Sequence, residues 1–438
     1  MEELGGSLKV AVLRAANVSE AYQGKALHFL HTTYTRAGQS QYRMTFQLED
    51  ATSHKLTGPV SITGDPLTAA HGIAARIDPA AKPFSSANTQ AVEAWGHGDF
   101  KRAVELDNGF GTAWGLWIQG VAGEGKQAEA LQLAERALAD SNLRSNVQRA
   151  QIQLMVAGWR QDQNGRRSAL EVLARTTPND PVVETELAAM DIRARHFVEA
   201  AAHFRRALLL KPEDAAILNS LGYAEACAGH VDAARAALEQ YGKQAGQETN
   251  ALDSLGEVHF MNGRFSEAAN YFHQVQRRDP SFLGGTALLK AAHAEWLSGN
   301  LTAADATLAP YFASLGAAKD PSGPWREANW LYVTGRAPLA MAKLEANSSP
   351  IAVKQLAVWK GQVTLPGDIK RLEQLYLDSS PFNDGTYRTF YAAALAGAGR
   401  GEEAKPLLTR WPLPLEGDTL LQSLVLPKFL ETRKKVGM

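Results

Sequence analysis

The sequence predicts a mostly all-α chain, a right-handed superhelix of paired helices preceded by a small α/β amino-terminal domain. Three observations predict it. Asn219-Ser-Leu-Gly-Tyr223, continuing to Gly229 and Ala234, lies without a gap on Asp253-Ser-Leu-Gly-Glu257, continuing to Gly263 and Ala268. That 34-residue offset is the length of a helix-turn-helix unit, with Leu-Gly early, a Gly midway and an Ala late. From Asn88 onward, Ala- and Leu-rich stretches alternate with short turns and show no strand periodicity. Upstream, Tyr42-Arg-Met-Thr-Phe-Gln-Leu48 alternates apolar and polar residues with the period of two that a strand requires.

The elements follow in chain order. Ala26 to Thr35 is rich in aromatic and β-branched residues, and Ala37-Gly38-Gln39 punctuates it, so the two segments predict a hairpin. Val60-Ser-Ile62, between Gly58 and Gly64, predicts a third strand, and Leu67 to Ile77 has helical spacing after an Asp65-Pro66 start. Pro79 to Ser86, with two prolines and small residues, reads as a linker. The expected organisation is a small domain with its linker over 1–84, a repeat array over 85–415 and a capping helix over 416–438.

The clearest repeat runs from 249 to 280. Leu252, Leu255 and His259 share one face of its first helix, Gly256 and Ala268 remove side chains where the two helices cross, and Phe272 fills the gap. The units at 215–246 and 181–212 keep this register, except that Arg195 stands where a turn Gly is usual. Gly299 with Ala304, Gly335 with Ala340 and Gly399 with Ala404 repeat the same spacing, and 351–378 holds helices without the signature. Roughly nine or ten helix pairs are expected, the outer ones loosest, with a stunted first pair around Gly98-Asp-Phe100. Leu424 to Val436 predicts a last helix whose Arg433-Lys-Lys435 suits the negative end of the helix dipole and caps the array.

Composition narrows the function classes. The chain of 438 residues carries 45 Lys and Arg against 46 Asp and Glu, so no global field draws in nucleic acid or an anionic membrane. Neither a nucleic-acid partner nor a membrane span is expected, the latter because no apolar run approaches ~20 residues. The single cysteine, Cys227, excludes an intrachain disulfide and a thiolate zinc site, and within a predicted helix it reads as a buried, inert thiol. The 11 histidines include no H-E-x-x-H pair, so no metal is expected. Gly120 to Gln127 fits G-x-x-x-x-G-K, but Gln127 replaces the magnesium-binding hydroxyl and Gly125 is the expected turn of its repeat. No catalytic residues and no cofactor are expected. The acidic start, Met-Glu-Glu, lacks the basic region of a secretory signal. A cytoplasmic location is expected for the sequence as written, with an exported or membrane-tethered parent as the alternative.

The units over 181–280, with Leu-Gly, the turn Gly, Ala, Phe and Pro in register, resemble the tetratricopeptide repeat family. The resemblance implies scaffolds whose concave groove, lined by the first helix of each pair, binds peptides or proteins. On that helix, Asn219, Tyr223, Asn250, Asp253, Glu257, Phe260, His293 and Trp296 mark a contiguous candidate groove. Its aromatic and amide side chains suit a peptide, and Asp253 and Glu257 argue against a carboxylate-terminated one. Tyr34-Thr-Arg-Ala-Gly38, Arg43 to Leu48, Asp50-Ala-Thr52, Asp65-Pro-Leu67 and Ile73 to Ile77 are similar to the second half of the TolB-like domain that precedes such repeats in bacterial regulators, with the first half missing or reduced to Val10 to Val18. The expected function is a non-enzymatic scaffold for a protein or peptide. The alternative is an accessory of a bacterial signalling or envelope system, with the amino-terminal domain as sensor and the repeats as spacer.

Overall fold

A computed structural model describes residues 26–38, 41–79, 81, 84–178, 180–363, 367–415 and 419–438. The shortened first half expected over Val10 to Val18 lies outside the described residues. Strands β1 (His28–Arg36), β2 (Tyr42–Asp50) and β3 (Val60–Gly64) form an antiparallel sheet in the order β1-β2-β3. Helix α1 (Pro66–Ile77) starts where the Asp65 side chain accepts the Leu67 and Thr68 N–H groups. It lies close on β3, because a Cβ at Gly72 would come within 2.9 Å of Ile62 Cδ1.

The chain divides into two compact units, the first ending at Leu187. In the first, α2 (Thr89–Gly96), α3 (Phe100–Leu106), α4 (Gly111–Gly123), α5 (Gln127–Ala139), α6 (Asn146–Trp159) and α7 (Gln163–Thr176) pack as successive pairs. The first pair is the stunted one, at 8 and 7 residues. Its neighbours gather around buried Phe110, Trp114 and Ile118, with Trp114 stacked on Trp117 at 5.5 Å and donating its indole N–H to the Asn108 carbonyl at 2.8 Å. Gly120 and Gly123 are helical in α4, and Gly125 has φ +80° at the turn that follows, so the phosphate-like string is repeat punctuation.

Leu187 lies in α8 (Pro181–Arg193). The second unit continues with α9 (Phe197–Leu210), α10 (Ala215–Cys227), α11 (Val231–Tyr241), α12 (Glu248–Met261), α13 (Phe265–Arg278), α14 (Ala287–Leu297), α15 (Leu301–Ala317), α16 (Gly323–Val333), α17 (Ala337–Glu345), α18 (Pro350–Trp359), α19 (Ile369–Asp378), α20 (Gly385–Gly397), α21 (Gly401–Ala404) and α22 (Gln422–Lys435). The small residues of the repeat act as the spacing implied. A Cβ at Gly256 would stand 2.4 Å from Phe272 Cε1, and one at Gly222 would stand 2.6 Å from Leu238 Cγ, so each bulky side chain fills the room its glycine leaves. Gly229 and Gly263 turn the chain in the left-handed region, and Arg195 adopts the same conformation at φ +61°. For a residue with a Cβ that costs roughly 1–2 kcal/mol.

The carboxyl-terminal helix spans Gln422–Lys435. α22 lies against α16 and α20 together, with Val425, Leu426 and Phe429 buried, because its apolar residues recur around the helix and find partners on both. Among the described residues, no helix is long and apolar enough to cross a membrane.

Candidate functional site

All eight candidate groove residues lie on first helices: Asn219 and Tyr223 on α10, Asn250, Asp253, Glu257 and Phe260 on α12, His293 and Trp296 on α14. Four of them, Asn219, Tyr223, Asp253 and Glu257, join one hydrogen-bonded system through residues the sequence did not single out, or through each other. Lys290 on α14 donates to both Asp253 oxygens, at 2.9 and 2.7 Å, and to Glu257 Oε1 at 2.7 Å. The Tyr223 hydroxyl donates to Glu257 Oε2 at 2.6 Å, and Ser254 Oγ, 3.3 Å from that hydroxyl, donates to Asn219 Oδ1 at 3.2 Å. Asn250 turns away instead, donating to the Tyr241 hydroxyl at 2.6 Å. The only sign of Lys290 in the sequence is a cation inside the apolar run Ala287-Leu-Leu-Lys-Ala-Ala292, which needs a buried counter-charge.

Three successive pairs are thus tied, two by one ammonium between two carboxylates and the third through the Tyr223 hydroxyl. Burial raises the Asp253 carboxyl above its usual range, against the pull of Lys290 and with the push of Glu257. Burial pulls the Lys290 ammonium down, but Glu257 and Asp253 outweigh it and hold it above its ordinary value. Burial and the Glu257 charge keep the Tyr223 phenol protonated far above its usual range. The network holds charges still.

Of the remaining candidates, Phe260 and His293 are buried and Trp296 is half-buried. Phe260 is fully buried, 5.3 Å from the Phe265 ring. His293 is buried against Trp330 at 5.2 Å, and Trp296 sits 6.4 Å from the same indole. The reason is a cover that the sequence did not reveal. The chain's own carboxyl-terminal segment meets first helices from α10 to α18. Phe382 packs on Tyr223 at 5.3 Å and Phe197 at 6.5 Å. The Trp411 backbone N–H donates to the Met261 carbonyl at 2.8 Å, and its ring stands edge-on to Phe265 at 4.8 Å. Leu413 joins the α10–α14 core, Gln355 on α18 donates to the Leu420 carbonyl at 2.9 Å, and Trp359 donates to Ser423 Oγ at 3.0 Å. Trp411-Pro-Leu413 forms neither helix nor strand, because proline cannot donate to a helix or a sheet and biases the residue before it away from α, and Pro414 and Leu415 end it in a turn.

A buried clamp holds this cover. Asp384 is 1% exposed and accepts from Arg388 Nε at 2.8 Å, from Arg195 Nε at 3.4 Å and from Arg410. The guanidiniums spend their other donors on carbonyls: Arg195 on Tyr376 and Ser379, Arg388 on Leu407 and Arg410, Arg410 on Pro381. Arg195 also stacks on the Tyr376 ring at 4.1 Å. Its strained turn conformation is offset by these bonds, which a glycine could not make. Arg410 further covers the Cys227 thiol, which burial pushes above its usual range.

No protein-family description matches the chain, and no curated protein does. Solved structures similar to it include Naa15/Naa10 bound to HypK-THB, at 16% identity and a TM-score of 0.36 over 80% of this chain. They also include a monomeric IFIT1 mutant with Gppp-AAAA, at 12% identity and 0.29 over 73% of this chain and 88% of that one. A third is the TPR domain of P58(IPK), at 12% and 0.22 over 79% of this chain and 97% of that one. The chain spans 57% of the Naa15/Naa10 chain it matches. The fold itself is a tetratricopeptide-like helical repeat array preceded by a small antiparallel sheet.

Proposed function

We propose that this protein is a non-enzymatic scaffold that holds a polypeptide partner against the first helices of its repeats. One observation carries the reading: the first-helix face of the second unit already holds a non-helical, proline-containing segment, its own Trp411 to Leu415, through a backbone hydrogen bond and apolar side chains. Proline-containing segments are well suited to such capture, because they lose little conformational entropy on docking. The partner is a peptide or protein segment of similar chemistry, and it competes with the segment held in cis.

The test uses a labelled synthetic peptide of the sequence 408–415 and the full chain. Fluorescence anisotropy should show weak binding to the native chain, tighter binding to Trp411→Ala, and none by a peptide whose tryptophan is alanine. Equal failure of both chains to bind the peptide would contradict the reading.

A further inference from the structure

A cleft of about 520 Å³ opens in the first unit between α3, the middle of α4 and the end of α5. That volume falls within the roughly 300–1,000 Å³ of small-molecule sites. It lies beside the stunted pair, where α3 runs for 7 residues against 13 in α5. Val104 and Leu106 at the end of α3, with Trp117 on α4, give the cleft its carbon surface. The Trp117 ring is backed by buried Trp114, stacked on it at 5.5 Å, which holds the indole in place.

Four charged side chains line the same space, and they differ in what they already hold. Asp140 accepts from Asn108 Nδ2 at 2.9 Å and from the Asn142 backbone N–H at 2.8 Å, one bond to each carboxylate oxygen. Glu105 pairs with Arg102 at 3.4 Å. Both carboxylates therefore have donors. The side chains of Lys101 and Arg136, by contrast, make no hydrogen bond and no ion pair among the described residues. Arg136 rests its guanidinium 5.7 Å from the Trp114 ring centroid, a contact that leaves its N–H fork without an acceptor.

We infer that this cleft binds a small aromatic carboxylate, its anion held by Lys101 and Arg136 and its ring lying on Val104, Leu106 and Trp117. A guanidinium meets a carboxylate with two parallel N–H bonds, and an indole takes a second aromatic ring offset or edge-on. A cation would face Lys101 and Arg136, and both carboxylates of the lining are already engaged. The site does not rest on the peptide reading, whose captured segment belongs to the second unit.

Isothermal titration of the full chain with β-naphthoate and with β-naphthamide, equal in size but differing in charge, tests it. The naphthoate should bind at one site per chain, at least about tenfold more tightly than the amide. In the double variant Lys101→Gln/Arg136→Gln that preference should fall to within about threefold. Both residues are exposed, so the fold should tolerate the change, and near-ultraviolet circular dichroism checks it. Arg277→Gln, which removes an exposed cation of α13, should leave the preference as it was. No binding of β-naphthoate at millimolar concentration, equal binding of the two probes, an unchanged preference in the double variant, or an equal fall in Arg277→Gln would overturn the inference.

Discussion

The two units put the same register of their repeats to different use. Ten and six residues before the left-handed turn residue stand Gly115 and Gln119 in α4, and Gln151 and Met155 in α6. The same places in the second unit hold Asn219 and Tyr223 in α10, and Asp253 and Glu257 in α12. Gln119 and Gln151 are exposed, and a Cβ added to Gly115 would meet nothing within 4 Å. Asp253, by contrast, is buried with Lys290, and Tyr223 lies under Phe382. The helix pair is indifferent to what its first-helix face does. Small and amide side chains leave that face open in the first unit, and charges plus aromatic rings fasten it down in the second.

The sharpest way to break this comparison is at the clamp. Asp384→Ala leaves one buried and two largely buried guanidiniums without their carboxylate, and should cost the second unit on the order of 3–5 kcal/mol. Glu135→Ala removes the exposed partner of Arg160 in the first unit and should cost less than about 1 kcal/mol. Urea denaturation of both variants measures the difference, and equal losses would erase the distinction between the units.

Acid should act mainly on the second unit. His293 titrates near 6.5 in an unfolded chain but at about 4 when folded. Between those values the unfolded chain binds more protons, so stability is lost as pH falls from about 6.5 to 4, by on the order of 3 kcal/mol from this residue. His293→Gln should flatten that part of the stability profile. A profile unchanged by the substitution would show that the imidazole is not held neutral.

Two glycines give the smallest and most discriminating effect. Gly256→Ala drives a methyl group against Phe272 and should destabilise by about 1–3 kcal/mol. Gly115→Ala, with open space around it in a helix, should stabilise by up to about 1 kcal/mol. Thermal melts of opposite sign support the contrast, and melts of the same sign refute it.

The repeat register was legible because its packing is local: Gly256 meets Phe272 within one unit, and the left-handed turns fall on the glycines that punctuate the pattern. The sheet was legible for the same reason, from alternation within β2. The cover was not. Arg195 and Asp384 touch across 189 residues of chain, and Trp411-Pro-Leu-Pro-Leu415 has no periodicity to announce a partner. One local mark did point to it. Arg195 breaks the turn pattern, and a departure that costs backbone strain must make a contact elsewhere. The candidate residues do lie on first helices, while the burial of Phe260 and His293 was beyond reach.

The chain's own carboxyl-terminal segment covers the first-helix face of the second unit, and the sole cysteine reports on it. Cys227 ends α10 with its thiol under Arg410. Its reaction with a disulfide reagent at neutral pH should be a small fraction of the rate in urea, and should rise sharply in Trp411→Ala while the helices remain folded. A native chain whose thiol reacts as fast as the denatured one would contradict the account.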